Sequence, residues 1–308
     1  MGILRSIFIW SSENDRLTDL LPRYPFIRKA VLRFIPGEDL ESALSAAEII
    51  YSHGIHTVLT YLGENVTQQV EADQNSRHYH DVLKRVSERG LTCHISVKLT
   101  QLGLNLDTDL WLSNLRSLVE HTSKLGNFIW IDMESSDYVD STLEIFHRLR
   151  SEFSNIGICL QSYLYRTFED LERLLPLSPA IRLVKGAYAE PRDIAYKKKK
   201  VVDENFLKHA IYLLREAQRT GIWPAFATHD PKLIRQIQGE AAGMGIPKKA
   251  LEFQMLYGIR RDDQIRLVRD GYRLRILISY GSAWFPWYMR RLAERPANLF
   301  FVLKNFFI

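Results

Sequence analysis

Cysteine is nearly absent: Cys93 and Cys159 are the only two among 308 residues. Each falls inside an apolar run on a separate segment, which excludes a disulfide framework and suits buried free thiols in a reducing compartment. No stretch approaches the roughly 20 apolar residues that a bilayer-spanning helix requires, so none reads as an integral membrane segment. The start, MGILRSIFIW, has a brief apolar run without a small-residue cleavage pattern, which argues against a secretory signal and for a cytoplasmic location. A glycine-rich dinucleotide or phosphate fingerprint is missing. The GMG at Gly243 to Gly245 lies between a helical and a strand pattern and reads as a turn. No Gly/Ser-rich or Pro-rich linker divides the chain, so residues 1–308 read as one domain. Metal ligation is not expected: His78 and His80 are two apart and do not share a helix face.

Charge excludes less. Lys and Arg number 41 against 36 Asp and Glu, a net +5, and the pI is 9.1. The run Lys197 to Lys200 is the densest basic cluster, but no basic stripe interleaved with aromatics accompanies it, so it reads as a solvated helix start rather than a nucleic-acid surface. The excess suits peripheral contact with an anionic membrane at its inner face. The aromatic-rich end, NLFFVLKNFFI, is expected to pack on the protein in preference to entering lipid.

What is present is a rhythm. Eight short runs rich in β-branched and other apolar residues are separated by helical patterns: HTVLTYLGE, HISVKLTQ, FIWIDME, IGICLQS, IRLVKG, PAFATHD, LEFQML and YRLRILI. Strand and helix in alternation predict a (β/α)8 barrel, with residues 1–50 as helices packed outside it. Lys98, Asp132, Gln161, Arg182 and His229 each stand near the carboxyl end of a run, where such barrels gather their chemistry. A solvated loop residue or a satisfied ion pair would explain each singly; together they predict one pocket. IRLVKGAY at Ile181 to Tyr188 carries the most information, because Arg182 and Lys185 would be costly to desolvate without partners.

The motifs SVKLTQLG, IDMESSDYVDSTLEIF, CLQSYLYRT, RLVKGAYAE, FATHD, LEFQMLYGI and MRRLAERPANLFFVLKN closely resemble the proline dehydrogenase family, over roughly residues 50 to 305. The resemblance implies a distorted (β/α)8 barrel of the TIM type, with N-terminal helices and a final helix over the carboxyl face. It also implies noncovalent FAD, oxidation of L-proline to 1-pyrroline-5-carboxylate, and a quinone as electron acceptor.

Site roles follow from the same resemblance. Arg290 and Arg291, with Lys98, would anchor the substrate carboxylate. Arg182 would lie near the flavin N5 edge, where a cation favours the electron-rich ring, and Asp132 would serve a catalytic or electrostatic role. Gln161 would hydrogen-bond the pyrimidine portion and Met133 would line the site. Lys185, Gly186 and Ala187 would approach the cofactor, and Thr228 and His229 its ribityl or pyrophosphate portion. Tyr188 and Leu256 would pack around the small ring. Glu64 would act as a gate by pairing with an arginine of the last helix.

The sequence departs from the family where the last strand usually reads R-x-Y-x-P-Y-G. Here it runs Arg275-Ile276-Leu277-Ile278-Ser279-Tyr280-Gly281, and a second aromatic position holds Trp287. Exchanging a ring-facing tyrosine for Leu277 alters how a hydroxyl on the substrate is discriminated. L-proline remains the expected substrate. The alternatives are 4-hydroxyproline and a non-catalytic barrel acting as a basic binding protein; no oligomeric state is read from the sequence.

Overall fold

The computed structural model describes residue 14 and residues 32–285, 288 and 289. Within them eight parallel strands close in chain order: β1 (His56–Tyr61), β2 (Cys93–Val97), β3 (Ile129–Ile131), β4 (Ile156–Gln161), β5 (Ala180–Val184), β6 (Trp223–Ala227), β7 (Glu252–Leu256) and β8 (Arg273–Tyr280). β8 pairs back onto β1 from His56↔Arg275 to Tyr61↔Tyr280, so the barrel has no open edge. Each of the eight apolar runs supplies one strand, and the (β/α)8 expectation holds. Helix α1 (Leu40–Tyr51) precedes β1; α2 (Gln69–Glu88), α3 (Thr108–Lys124), α4 (Val139–Arg150), α5 (Thr167–Leu174), α6 (Lys199–Thr220), α7 (Pro231–Gly243) and α8 (Arg261–Arg269) follow β1 to β7 in turn.

Side chains alternate across each strand, and the apolar ones accordingly form two clusters. A large one, with Ile95, Ile131, Ile158, Leu183, Phe226 and Ile278, fills the space between strands and helices. A small one, around Val58, Trp130, Ala180 and Ala225, fills the inside of the barrel. There His94, Phe128, Trp130 and Trp223 pack in tilted and edge-on contacts with ring centroids 5.1–5.9 Å apart, and Trp130 Nε1 donates to His94 Nδ1 at 3.2 Å. Gly157 is the register partner of Trp130, and a Cβ there would come within 2.7 Å of the indole. This aromatic floor fills the barrel interior, so a ligand held by the strand ends would sit above it on the carboxyl side.

The barrel is distorted at its closure. Helix α1 packs on both β1 and β8, in the slot an eighth outer helix would occupy. Asp39 caps it by accepting from Ser42 N at 2.8 Å, and Arg85 of α2 and Arg89 at the C-cap of α2 pair with its Glu41. The chain after β8 is thereby free of that slot. It is helical at Trp284, Phe285, Tyr288 and Met289. Residues 33–38 brace this helix: Trp284 Nε1 donates to Glu38 Oε1 at 3.1 Å, and Phe34 meets Tyr288 at 6.0 Å between rings. Gly258, at φ +72°, admits the same stretch, because a Cβ there would lie 1.8 Å from the Arg33 carbonyl oxygen. Residues 1–13 and 15–31 of the expected N-terminal helices, the rest of the final helix with Trp287, Arg290 and Arg291, and the NLFFVLKNFFI end lie outside the described residues.

Cys93 and Cys159 are free and buried, and burial pushes the Cys93 thiol up to about 11. Among the described residues no helix is long and apolar enough to cross a membrane.

Candidate active site

Arg182 sits midway along β5, deeper than the strand-end position its sequence suggested, and is 1% exposed. A guanidinium so buried needs partners, and several elements supply them. It pairs with Asp132, one residue past β3, donates to Ser96 Oγ of β2 at 2.7 Å and to Gln254 Oε1 of β7 at 3.4 Å, and lies over the Trp130 ring at 5.1 Å. Ser96 Oγ also donates to Asp132 Oδ1 at 3.0 Å. Lys98, one residue past β2 and 9% exposed, brings Nζ to 3.8 Å from Asp132 Oδ2. Asp132 therefore stands between two cations at the floor of the mouth, and the residues predicted to converge from β2, β3 and β5 do so.

Gln161 ends β4. Its Nε2 donates to the carbonyls of Met133 at 3.2 Å and Glu134 at 3.1 Å, while its buried Oε1 has no hydrogen-bond partner. Glu134 is a site residue the sequence reasoning missed. It accepts from Thr100 N at 3.0 Å and from Thr100 Oγ1, and burial raises its carboxyl to about 7, against those hydrogen bonds and with repulsion from Glu64 adding to it. The one signal in the sequence was its spacing two residues beyond Asp132.

The opposite wall is apolar. Leu256 and Leu277 are register partners, and Leu277 pairs in turn with Val58; the two leucines are half-buried where neighbouring strand positions are closed. Val184 and Ala227, near the carboxyl ends of β5 and β6, are likewise half-buried, and Leu277 packs on the inner cluster of Val58 and Trp130. His229 Nε2 accepts from Leu256 N at 2.8 Å, which assigns its proton to Nδ1 and ties the loop after β6 to β7. Thr228 Oγ1 accepts from Asp230 N at 3.2 Å.

Lys185 points elsewhere than Arg182. It pairs with Asp203 on α6 and lies 3.6 Å from Asp230; Lys199 shares the same two carboxylates. Lys197 to Lys200 are all exposed, so the run at the start of α6 is a solvated face as expected, with Lys199 reaching these carboxylates while 73% exposed. Gly186, at φ +112°, follows Lys185, and a Cβ there would fall 2.2 Å from the Tyr163 ring, so the backbone passes directly beneath that ring. Ala187 and Tyr188 are half-buried beyond it, as is Glu64 in the loop after β1. Arg290 and Arg291, the expected carboxylate anchors and gate partners, lie outside the described residues.

Two buried atoms bear on whether a flavin fits. Gln161 Oε1, at the carboxyl end of β4, is an unused acceptor, the kind of group that takes the imide N–H of a flavin's pyrimidine portion; Arg182 Nε has no oxygen or nitrogen partner but lies against the Cys159 thiol, its register partner. The glycine-permitted approach of the backbone at Gly186 suits a flat ring system in the same mouth.

The proline dehydrogenase family model matches residues 43–304. Proline dehydrogenase 1 of Bacillus subtilis (strain 168) is 36% identical over 303 residues, covering 98% of this chain and 99% of the relative. The proline dehydrogenase of Deinococcus radiodurans is 38% identical over 278 residues, 89% of this chain and 88% of the relative. Among solved structures, proline utilization A from Bdellovibrio bacteriovorus inactivated by N-propargylglycine superposes with a TM-score of 0.81 at 25% identity, covering 93% of this chain. This chain spans 38% of that protein's length.

Proposed function

Because the chain belongs to the proline dehydrogenase family, we propose that it oxidises L-proline to 1-pyrroline-5-carboxylate with noncovalently bound FAD and passes the electrons to a quinone. The observation that carries this reading is the meeting of Lys98, Asp132 and Arg182 on the carboxyl side of the barrel, with the unused acceptor of Gln161 at the end of β4.

The residues divide the work. Lys98, with Arg290 and Arg291, would hold the substrate carboxylate through a point charge and two forks. Leu256, Leu277 and Tyr188 would pack the ring so that C5 faces the cofactor, since hydride transfer needs close, oriented approach. FAD, when bound, supplies the acceptor for the hydride that leaves C5. Gln161, Met133, Lys185, Gly186, Ala187, Thr228 and His229 would hold it, and Arg182 would present a fixed cation to it. The substrate amine must be neutral before C5 is oxidised, because its lone pair forms the new C=N bond. Both oxygens of Asp132 face cations or the Ser96 hydroxyl, which favours an orienting role: it keeps Lys98 and Arg182 in register for the substrate. Glu64 would close the mouth by pairing with an arginine of the final helix, excluding water. The protein would work in the cytoplasm, touching the inner membrane face when it meets the quinone.

Turnover with L-proline and a soluble quinone analogue tests the reading. The expected result is 1-pyrroline-5-carboxylate formed in equal amount to quinol; quinol without that product, or neither, would overturn it.

A further inference from the structure

Beneath the mouth lies a second ion pair that the chemistry above does not use. Arg275 of β8 and Glu252 of β7 are 4% and 3% exposed at their side chains. Arg275 Nε donates to Glu252 Oε1 at 3.1 Å and Nη2 to Oε2 at 3.4 Å, and Nη1 donates to the Thr57 carbonyl at 3.3 Å. Gln254 is two residues further along β7, hence on the same inward face, and it joins this pair to Arg182. Its Nε2 donates to Glu252 Oε1 at 2.7 Å, and its Oε1 accepts from Arg182 Nη1 at 3.4 Å.

The bridge has one workable sense. A carboxylate can only accept and a guanidinium can only donate, so the amide must turn its NH2 to Glu252 and its carbonyl to Arg182. Reversed, it would set oxygen against carboxylate and N–H against guanidinium. Arg275 fixes the carboxylate with two N–H groups and so fixes the amide. Arg182 is then held from two sides, by Asp132 and Ser96 through Nη2 and by Gln254 through Nη1. The Asp132 side chain is 20% exposed and shared with Lys98, within reach of an entering substrate, whereas Gln254 is 2% exposed.

We infer that Gln254 is a positioning residue for Arg182, with Glu252 and Arg275 setting its sense, and that this buried relay tunes the electron affinity of the cofactor above it. The inference rests on the FAD-dependent reading. A cation held in one orientation stabilises a developing negative charge more than one free to swing.

The test is the midpoint potential of bound FAD in the holoenzyme, together with kcat and KM for L-proline, for the wild type, Gln254→Met and Glu252→Gln. For Gln254→Met the expected shift is downward by at least a tenfold change in the two-electron equilibrium, about 30 mV. Its kcat should fall roughly tenfold, with KM changed less than about threefold. Glu252→Gln serves as the charge control: it removes a buried carboxylate and leaves the Arg275 cation unpaired, which favours added electrons on the cofactor, so its potential should rise and a downward shift is expected of Gln254→Met alone. Variants that lose FAD or melt early while the retained FAD keeps its wild-type potential would overturn the inference and leave the function intact. A wild type that binds no FAD or is not reduced by proline would overturn both.

Discussion

Replacing Asp132 with alanine removes the one carboxylate common to both cations of the mouth. In the native protein it takes an N–H from Arg182 and the Ser96 hydroxyl on one oxygen and faces Lys98 at 3.8 Å on the other. Breaking a fully buried pair costs about 3–5 kcal/mol, because the remaining charge is stranded. Here the Asp132 side chain is 20% exposed, and Arg182 keeps Ser96, Gln254 and the Trp130 face. Those retained partners and entering water reduce the expected loss to about 2 kcal/mol, a Tm lower by about 4 °C for a domain of this size. Activity should suffer more: with Lys98 and Arg182 no longer held in register, kcat/KM for L-proline should fall by at least about 10²-fold. Thermal unfolding followed by circular dichroism gives the first number, and single-turnover reduction of the bound FAD gives the second. An alanine variant with full FAD content and kcat/KM within about fivefold of wild type would refute the assigned role.

Three further outcomes are expected. Glu134 is raised from its usual 4.5 to about 7, so the folded state holds a proton that the unfolded state has released; stability tied to this group is fully present below pH 4.5 and is lost as pH rises to about 7. Relative to Glu134→Gln, the wild type should lose about 3 kcal/mol across that window in urea titrations, and parallel pH curves for the two would contradict the burial argument. Gly186→Ala should lower stability by about 3 kcal/mol from its positive φ and the Tyr163 clash combined, with weakened FAD retention read by absorbance after gel filtration. Glu252→Ala should cost about 3–5 kcal/mol by stranding Arg275, while Glu252→Met with Arg275→Met should recover most of it, since an apolar pair of similar volume needs no partners; additive losses in that cycle would argue against the pairing.

Much of the architecture was legible because its signals are local. Each strand is a short apolar run bounded by turn residues, and Lys98, Asp132 and Gln161 stand at the carboxyl ends of theirs. What stayed hidden depends on closure. Glu252 and Arg275 lie on separate strands and meet only where β7 pairs with β8, so LEFQML read as plain apolar strand. The depth of Arg182 was missed for the same reason: its partners Ser96, Gln254 and Asp132 come from β2, β7 and the residue after β3. The lodging of α1 between β8 and β1 follows from the closed sheet and has no sequence mark. Lys199 belongs to a solvated basic run, as its sequence suggested; its pairing with Asp203 of α6 and Asp230 at the cap of α7 shows only in the fold.

The most direct test of the central claim is an anaerobic visible spectrum of the purified protein, recorded before and after L-proline is added. The account predicts an oxidised flavin band that bleaches on addition of L-proline and returns when a quinone is supplied. A flavin band that L-proline leaves unchanged would contradict it.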